Sequence, residues 1–240
     1  MNLSLEGKKA VVTGAAGGLG YEITRALVDA GCTVMMTDIK EDNLKKGKEE
    51  FGENVSFITG DITDDDFCDE VALKCLEEFG SLDILVNNAG IPLKKGALET
   101  TKEEFMRIFE VNVYANLAMA RACHELLKKS DCADIITICS SSGSHYHPTH
   151  AAYSASKFAQ KALSNILNIE FFDDDIRVHT IYPSAVETPF LKKVRNDLGS
   201  NQSLKAEEVA SLIVFILANR NNSVIDNVLI RRYTKRPDEN

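Results

Sequence analysis

The sequence predicts an α/β fold, a doubly wound and mostly parallel seven-stranded sheet with helices on both faces, in one domain spanning residues 1–240. Three observations predict it. Short apolar runs alternate with helical patterns along almost the whole chain. Those runs are apolar enough to be buried on both faces, as parallel strands are. The first of them ends in a glycine-rich turn, residues 14–20 (GAAGGLG), that opens directly into a helical pattern. No low-complexity linker or composition shift marks an internal boundary.

The elements follow in order. Residues 8–13 (KKAVVT) form the first strand. Gly14, Gly18 and Gly20 allow positive φ and let a ligand approach the backbone closely. The helix that follows carries Tyr21, Ile23, Ala26, Leu27 and Ala30 and closes at Gly31. Its N-terminus offers free N–H groups and the positive end of a dipole, which suits a pyrophosphate. Gly14, Gly18, Leu19 and Gly20 are therefore the first candidate cofactor contacts. Residues 32–37 (CTVMMT) form the second strand, and Asp38 follows at once. A carboxylate at that distance past the glycines accepts hydrogen bonds from both ribose hydroxyls of NAD and repels a 2′-phosphate. The position favours NAD over NADP; a solvated loop aspartate is the plain alternative.

Residues 41–51 are a charged helix, and 54–59 (NVSFIT) a third strand leading to Gly60 and Asp61. Thr63 is the N-cap candidate of an amphipathic helix over 64–79. The fourth strand, 82–86 (LDILV), ends in Asn87, Asn88, Ala89 and Gly90, where open α/β sheets bind ligands. A long helical stretch over 101–129 encloses Asn112, which is expensive to bury unless it finds partners at a bend or serves a site. The fifth strand, 134–139 (DIITIC), delivers Ser140. The helix after it runs to about residue 173. A sixth strand covers 176–182, an apolar helix 205–218 and a seventh strand 223–230, with a polar tail over 231–240.

Ser140, Tyr153 and Lys157 are the candidate catalytic groups. Tyr153 and Lys157 lie four apart on a helical run, so both leave the same face. A free tyrosine titrates near pH 10, about three pH units too high for a base at neutrality, a gap worth roughly 4 kcal/mol. A cation one turn away, with a positive nicotinamide ring, would close it. A serine hydroxyl would donate to the substrate oxygen as charge develops. Taken alone, a Tyr–Lys pair also fits an ordinary amphipathic helix.

Composition narrows the class. Hydrophobic content is 44% and charged content 26%, ordinary for a soluble globular protein. A net charge of −9 argues against nucleic acid and against an anionic membrane surface. The longest strongly apolar run, 209–218, is too short to span a bilayer, and the N-terminus lacks a signal-peptide pattern. None of the six cysteines forms a Cys-x-x-Cys pair, which fits reduced thiols in a cytoplasmic protein.

Taken together, Thr13-Gly14-x-x-x-Gly18-x-Gly20, Asp61, Asn87-Asn88-Ala89-Gly90, Asn112, Ser140 and Tyr153-x-x-x-Lys157 resemble the short-chain dehydrogenase/reductase family of the single-domain, Rossmann type. The resemblance covers residues 5 to 230. It implies an NAD(H)-dependent oxidoreductase that interconverts a secondary alcohol and a ketone, with Tyr153 as general acid/base. Lys157 would lower the tyrosine's pKa and hold the nicotinamide ribose. Asn112 would hold a water in a proton relay, and Ser140 would polarise the carbonyl. Asp61 and Ile62 would touch the adenine, Asn88 with Ala89 and Gly90 the adenosine ribose, and Thr188 the carboxamide. No metal is implied. Such proteins are usually tetramers or dimers that pair the long helices flanking the fifth strand. An NADPH-dependent 3-oxoacyl reductase and a non-catalytic dinucleotide sensor are the rival readings.

There are departures. Pro183-Ser184 stands where the family usually has Pro-Gly, and a side chain there would crowd the nicotinamide. Cys139 stands where a serine is common, and the C-terminus lacks a common Asp-Gly-Gly ending. The short segment from Thr188 to about Lys205 implies a small substrate lid. His145, His147 and His150 crowd the loop before Tyr153. Their spacing allows a metal site, but no acidic ligand is near. His150 instead borders the expected pocket and, with Lys94, would favour a polar or carboxylate-bearing substrate.

Overall fold

The computed structural model describes residues 3–193 and 203–233. One sheet takes all seven strands: β1 (Lys9–Thr13), β2 (Thr33–Asp38), β3 (Val55–Thr59), β4 (Ile84–Asn87), β5 (Ala133–Ile138), β6 (Ile176–Pro183) and β7 (Asn227–Ile230). Their order is β3-β2-β1-β4-β5-β6-β7, and every pairing is parallel.

Alternation along the strands divides the core in two. Ala10 and Val12 of β1 face α1 (Gly18–Asp29), α2 (Glu41–Phe51) and α8 (Ala206–Ala218), through Ile23, Leu27, Leu44, Val209 and Ile213. Val11 faces the other way, toward α3 (Asp65–Phe79), α5 (Ala115–Leu127) and α6 (Ala151–Glu170), through Val71, Met119 and Leu167. Each fully buried aliphatic side chain contributes about 1.5–3 kcal/mol, so the two layers hold the sheet between them.

The edge at the strand starts is structural. Asp83 accepts from the Lys9 amide at 2.9 Å and from Ser130 Oγ at 2.6 Å. Asp134, also buried, is held by Arg220 at 2.9 Å and His179 at 3.0 Å. These carboxylates are buried because they are fully partnered.

Local departures from the sequence expectations have local causes. Asp64, not Thr63, caps α3, accepting from the Asp66 amide at 3.1 Å, because Thr63 is bound to Asp61. The stretch 101–129 is not one helix. It begins as α4 (Lys102–Phe109), widens into a π-turn over Glu110–Tyr114, and resumes as α5. The last strand is shorter than 223–230, and α6 ends at Glu170 before a separate 3₁₀ turn. A short helix, α7 (Pro189–Lys192), lies in the expected lid region. The rest of that lid, residues 194–202, and the end of the tail, 234–240, lie outside the described residues.

Candidate active site

Because all strands run the same way, every strand end that the motifs follow lies on one edge of the sheet. The chain order reverses between β1 and β4, which opens a crevice at that edge. The glycine turn after β1, Asp38 after β2, Asp61 after β3, Asn88 after β4, Ser140 after β5 and Ser184 after β6 all border it.

The glycine turn is shaped by three different needs. Gly14 (φ +66°) and Gly18 (φ +57°) adopt the left-handed backbone that favours glycine. Gly20 does not; it is helical, and space is what excludes a side chain. A Cβ there would lie 2.3 Å from the Gly14 carbonyl oxygen and 2.5 Å from Asn88 Nδ2. Leu19 packs against the α1 side of the core. No side chain caps α1 and no acidic residue sits in its first turn. Its leading N–H groups are thus left for an anion, and the residues present fit a dinucleotide pyrophosphate.

Asn88 holds this cradle closed. Its Nδ2 donates to the carbonyls of Thr13 (2.8 Å) and Gly14 (3.2 Å), while the amides of Asn88 and Ala89 donate to Thr13 Oγ1 at 3.0 and 3.1 Å. The Asn88 side chain is therefore committed to the turn's own backbone. Asp38 is half-committed: it accepts from the Ala16 amide at 3.2 Å and the Lys40 amide at 3.1 Å, at the rim of the turn. Asp61 accepts from Thr63 (amide 3.0 Å, hydroxyl 2.8 Å) and pairs with Arg107 of α4 at 2.9 Å. Burial pushes its carboxyl up, but these partners outweigh that and hold it below the usual range. The Ile62 side chain is in the core, so a contact with adenine would come from its backbone. Thr188 lies against Gly18, 3.4 Å from where a Cβ would stand, and caps α7 while donating to the Val186 carbonyl.

The candidate catalytic groups meet between β5 and α6. Ser140 Oγ accepts from the Ser142 amide at 3.1 Å, which leaves its own proton free to donate. Tyr153 is buried beside it. Burial raises the phenol above its ordinary value, and the Ser140 hydroxyl works against that. Burial lowers Lys157. The Lys157 ammonium lies 5.8 Å from the tyrosine ring centroid and donates to the Ile138 carbonyl (3.3 Å) and to Gln160 Oε1 (2.7 Å). Lysine proximity alone thus leaves the phenol high; desolvation is the larger effect.

Asn112 is fully buried in the π-turn. Its side chain exchanges hydrogen bonds with the Ile91 backbone (2.8 and 3.1 Å) and donates to Ser156 Oγ at 3.1 Å. Ser156 in turn donates to the Tyr153 carbonyl at 2.8 Å. The π-turn thereby ties the β4 loop to the helix that carries the tyrosine, a frequent use of such bulges. Gly90 is the meeting point: a Cβ there would be 3.2 Å from Asn112 Oδ1 and 3.8 Å from Lys157 Nζ.

A short chain dehydrogenase family model matches residues 8–199. The chain belongs to the short-chain dehydrogenase/reductase family. Among its relatives is 1-deoxy-11-beta-hydroxypentalenate dehydrogenase of Streptomyces exfoliatus, 32% identical over 219 residues, with 88% of this chain and 80% of the relative covered. An alcohol dehydrogenase from Thermococcus sibiricus, complexed with 5-hydroxy-NADP, superposes with a TM-score of 0.88 at 28% identity, covering 96% and 98% of the two chains. A 3-ketoacyl-(acyl-carrier-protein) reductase from Brucella melitensis, complexed with NADH, gives 0.89 at 29%, covering 96% and 99%. This short-chain dehydrogenase/reductase is an oxidoreductase of a fold whose neighbours bind NAD(P)(H).

Several features of this family member escape sequence reasoning. Phe190 of α7 packs at 6.1 Å from the Tyr153 ring, in addition to the sequence-expected His150 at 6.2 Å. Arg107 supports Asp61 and Ser156 supports Asn112 from other elements, while Gln160 supports Lys157 from its own helix and is itself held by Asn116. Only Gln160 had a local signal, a polar side chain one turn past Lys157 on the helix's buried face. Among the described residues, no group of three His, Cys, Asp or Glu side chains is placed to hold a metal, and no helix is long and apolar enough to cross a membrane. Cys139 donates to the Lys157 carbonyl at 3.3 Å, so the thiol backs the helix that carries Tyr153 and Lys157.

Ser184 has a testable cost. Its Oγ is buried with no hydrogen-bond partner, while its amide is fixed to the Ile230 carbonyl at 2.9 Å. An unpartnered hydroxyl costs about 1 kcal/mol or more. Ser184→Ala is expected to raise the Tm of the cofactor-free protein by about 2–4 °C in a thermal melt.

Proposed function

We propose that this chain is an NAD(H)-dependent dehydrogenase that interconverts a secondary alcohol and a ketone. The observation that carries the reading is the convergence, on one sheet edge, of the Ser140–Tyr153–Lys157 set with an uncapped helix start and the Asp38 carboxylate at the rim of the glycine turn. A bound nicotinamide supplies or accepts the hydride. Ser140 donates to the substrate oxygen, and Tyr153 gives it a proton in reduction or takes one in oxidation. Lys157 keeps a positive charge beside the phenol. Gly14, Gly18, Leu19 and Gly20 cradle the pyrophosphate, with Asp61, Ile62, Ala89, Gly90 and Thr188 lining the rest of the dinucleotide's course. Exposed apolar residues on α4 (Phe105, Met106) and α6 (Ile166, Ile169) support a homo-oligomer that pairs the helices flanking β5.

Asp38 decides the cofactor. NADH oxidation against pooled ketones and 3-oxo esters is expected to exceed NADPH oxidation. Asp38→Asn removes the charge while keeping an acceptor for the Ala16 amide. The substitution should weaken NADH binding about tenfold and strengthen NADPH binding. Turnover with NADPH alone in the unmodified protein would sink this cofactor assignment. The NADH-bound 3-ketoacyl reductase neighbour supports a second reading, reduction of a 3-oxoacyl thioester, which the same pool tests.

His150 supports a carboxylate-bearing substrate. Its Nδ1 donates to the Pro148 carbonyl at 2.9 Å, which leaves Nε2 beside the tyrosine, where the imidazolium form can donate to a carboxylate. Thr149 before it holds a positive φ of 61°, a strained residue that fixes the loop. His150→Ala should raise KM several-fold for oxo acids and leave neutral ketones unaffected; equal KM values for both would remove this part of the proposal.

A further inference from the structure

Two carboxamides sit where the interior would pack more cheaply with apolar side chains. Gln160 of α6 is fully buried and Asn116 of α5 is 4% exposed. Gln160 Oε1 accepts from Lys157 Nζ at 2.7 Å, and Gln160 Nε2 donates to Asn116 Oδ1 at 3.0 Å. Asn116 Nδ2 donates to the Asn112 carbonyl at 3.0 Å, inside the π-turn, and the Asn116 carbonyl accepts from Asn87 Nδ2 at 3.3 Å. The direction of this chain is forced. A lysine ammonium only donates, so Gln160 must present its oxygen to it. Its NH₂ must then face Asn116, whose own NH₂ must face Asn112. One cation sets the orientation of both amides.

We propose that Gln160, oriented by Asn116, is the positioning residue that keeps the Lys157 ammonium charged and aimed into the active site. The inference rests on the proposed role of Lys157. A lysine ammonium has three donors. Ile138 and Gln160 take two, and the third is left for the site beside Tyr153. The cation is otherwise deeply buried, and burial favours its neutral form. Its ionisable neighbours are Tyr153 on its own helix and Cys139 after β5, whose thiol is pushed up by burial and stays neutral. The elements packed across from it present Gly90, Asn112 and Asn116, none of which titrates. Among the described residues no carboxylate faces the ammonium, and of its two acceptors Gln160 is the nearer.

The sign follows. Removing Gln160 favours neutral Lys157, and neutral Lys157 favours the neutral phenol. Alcohol oxidation, which needs the phenolate, should then require higher pH. Gln160→Leu alone would strand Asn116 Oδ1, so the test variant is Gln160→Leu with Asn116→Val, which leaves an apolar pair. Gln160→Glu, which keeps the acceptor and adds charge, is the opposing arm. Lysine-labelled protein without cofactor is titrated by carbon-detected NMR at Cε, with the Lys157 signal assigned by its loss in Lys157→Met. The Lys157 midpoint should fall by about one pH unit in the double variant and rise in Gln160→Glu. The kcat/KM profile for alcohol oxidation should move by the same amount, basic in the first and acidic in the second. An unchanged Lys157 midpoint in both variants overturns the proposal, even if stability or activity drops. The NMR arm needs no turnover, so a failure of the dehydrogenase reading would show separately, as wild-type protein that oxidises nothing.

Discussion

Tyr153→Phe is expected to reduce turnover by about 10²–10⁴-fold while leaving dinucleotide affinity within a few-fold, because it deletes the proposed proton donor and nothing that shapes the cradle. The substitution removes one oxygen from a side chain that is already buried against His150 and Phe190, so packing is preserved. Ser140 loses a neighbour for its hydroxyl but keeps the Ser142 amide. The loss should fall on kcat and on kcat/KM alike, since the proton moves only in the transition state. Steady-state kinetics with NADH would be read beside a binding titration that follows nicotinamide fluorescence, which is unobscured because the chain has no tryptophan. Residual turnover above about a tenth of wild type would remove Tyr153 from the acid/base role. Loss of cofactor binding along with turnover would mean that the ring's hydroxyl serves binding, not proton transfer.

Gly20→Ala should damage the fold as well as the site. Its Cβ would stand 2.3 Å from the Gly14 carbonyl oxygen, and backbone cannot step aside as a flexible side chain can. The turn must open, which also breaks the hydrogen bonds from Asn88 Nδ2 to Thr13 and Gly14. Overpacking of this kind costs about 1–3 kcal/mol. Spread over a chain this long, that is a fall in Tm of several degrees. Dinucleotide affinity should fall with it, because the amides at the start of α1 lose their common aim. Gly17→Ala is the matched control. A Cβ there meets nothing within 4 Å, and its backbone is extended, so stability should be unchanged. Equal melting temperatures for Gly20→Ala and wild type would show that the turn is pliant and that space at Gly20 is not the constraint.

The two substitutions differ in what the sequence alone could say about them. Tyr153 and Lys157 were legible because a helix repeats about every four residues, so spacing alone puts both on one face. The glycine turn was legible because it joins a strand pattern to a helix pattern. Its chemistry was read only in part. Positive φ explains Gly14 and Gly18, whereas Gly20 is constrained by a carbonyl six residues earlier in the chain, a close approach that local propensity does not reveal. Asn112 was recognised as a buried polar residue needing partners, but Ile91 and Ser156 could not be named, since they come from a loop and a helix distant in sequence.

What the sequence by itself determined is everything governed by short-range periodicity: alternating strands and helices, the parallel sheet they imply, and the identities of the groups at the strand ends. Those depend on spacings of two to four residues and on turn chemistry, which act within one element. What only the tertiary structure decided is how those groups are held. Asn88 is spent on the cradle, Asp61 is paired with Arg107, and the Lys157 ammonium is held by the Ile138 carbonyl and by Gln160, which Asn116 orients. Burial raises the tyrosine that the lysine was expected to lower. These depend on which side chains meet at the sheet edge and on how much water their meeting excludes, and desolvation is a property of the packed whole, not of any stretch of chain.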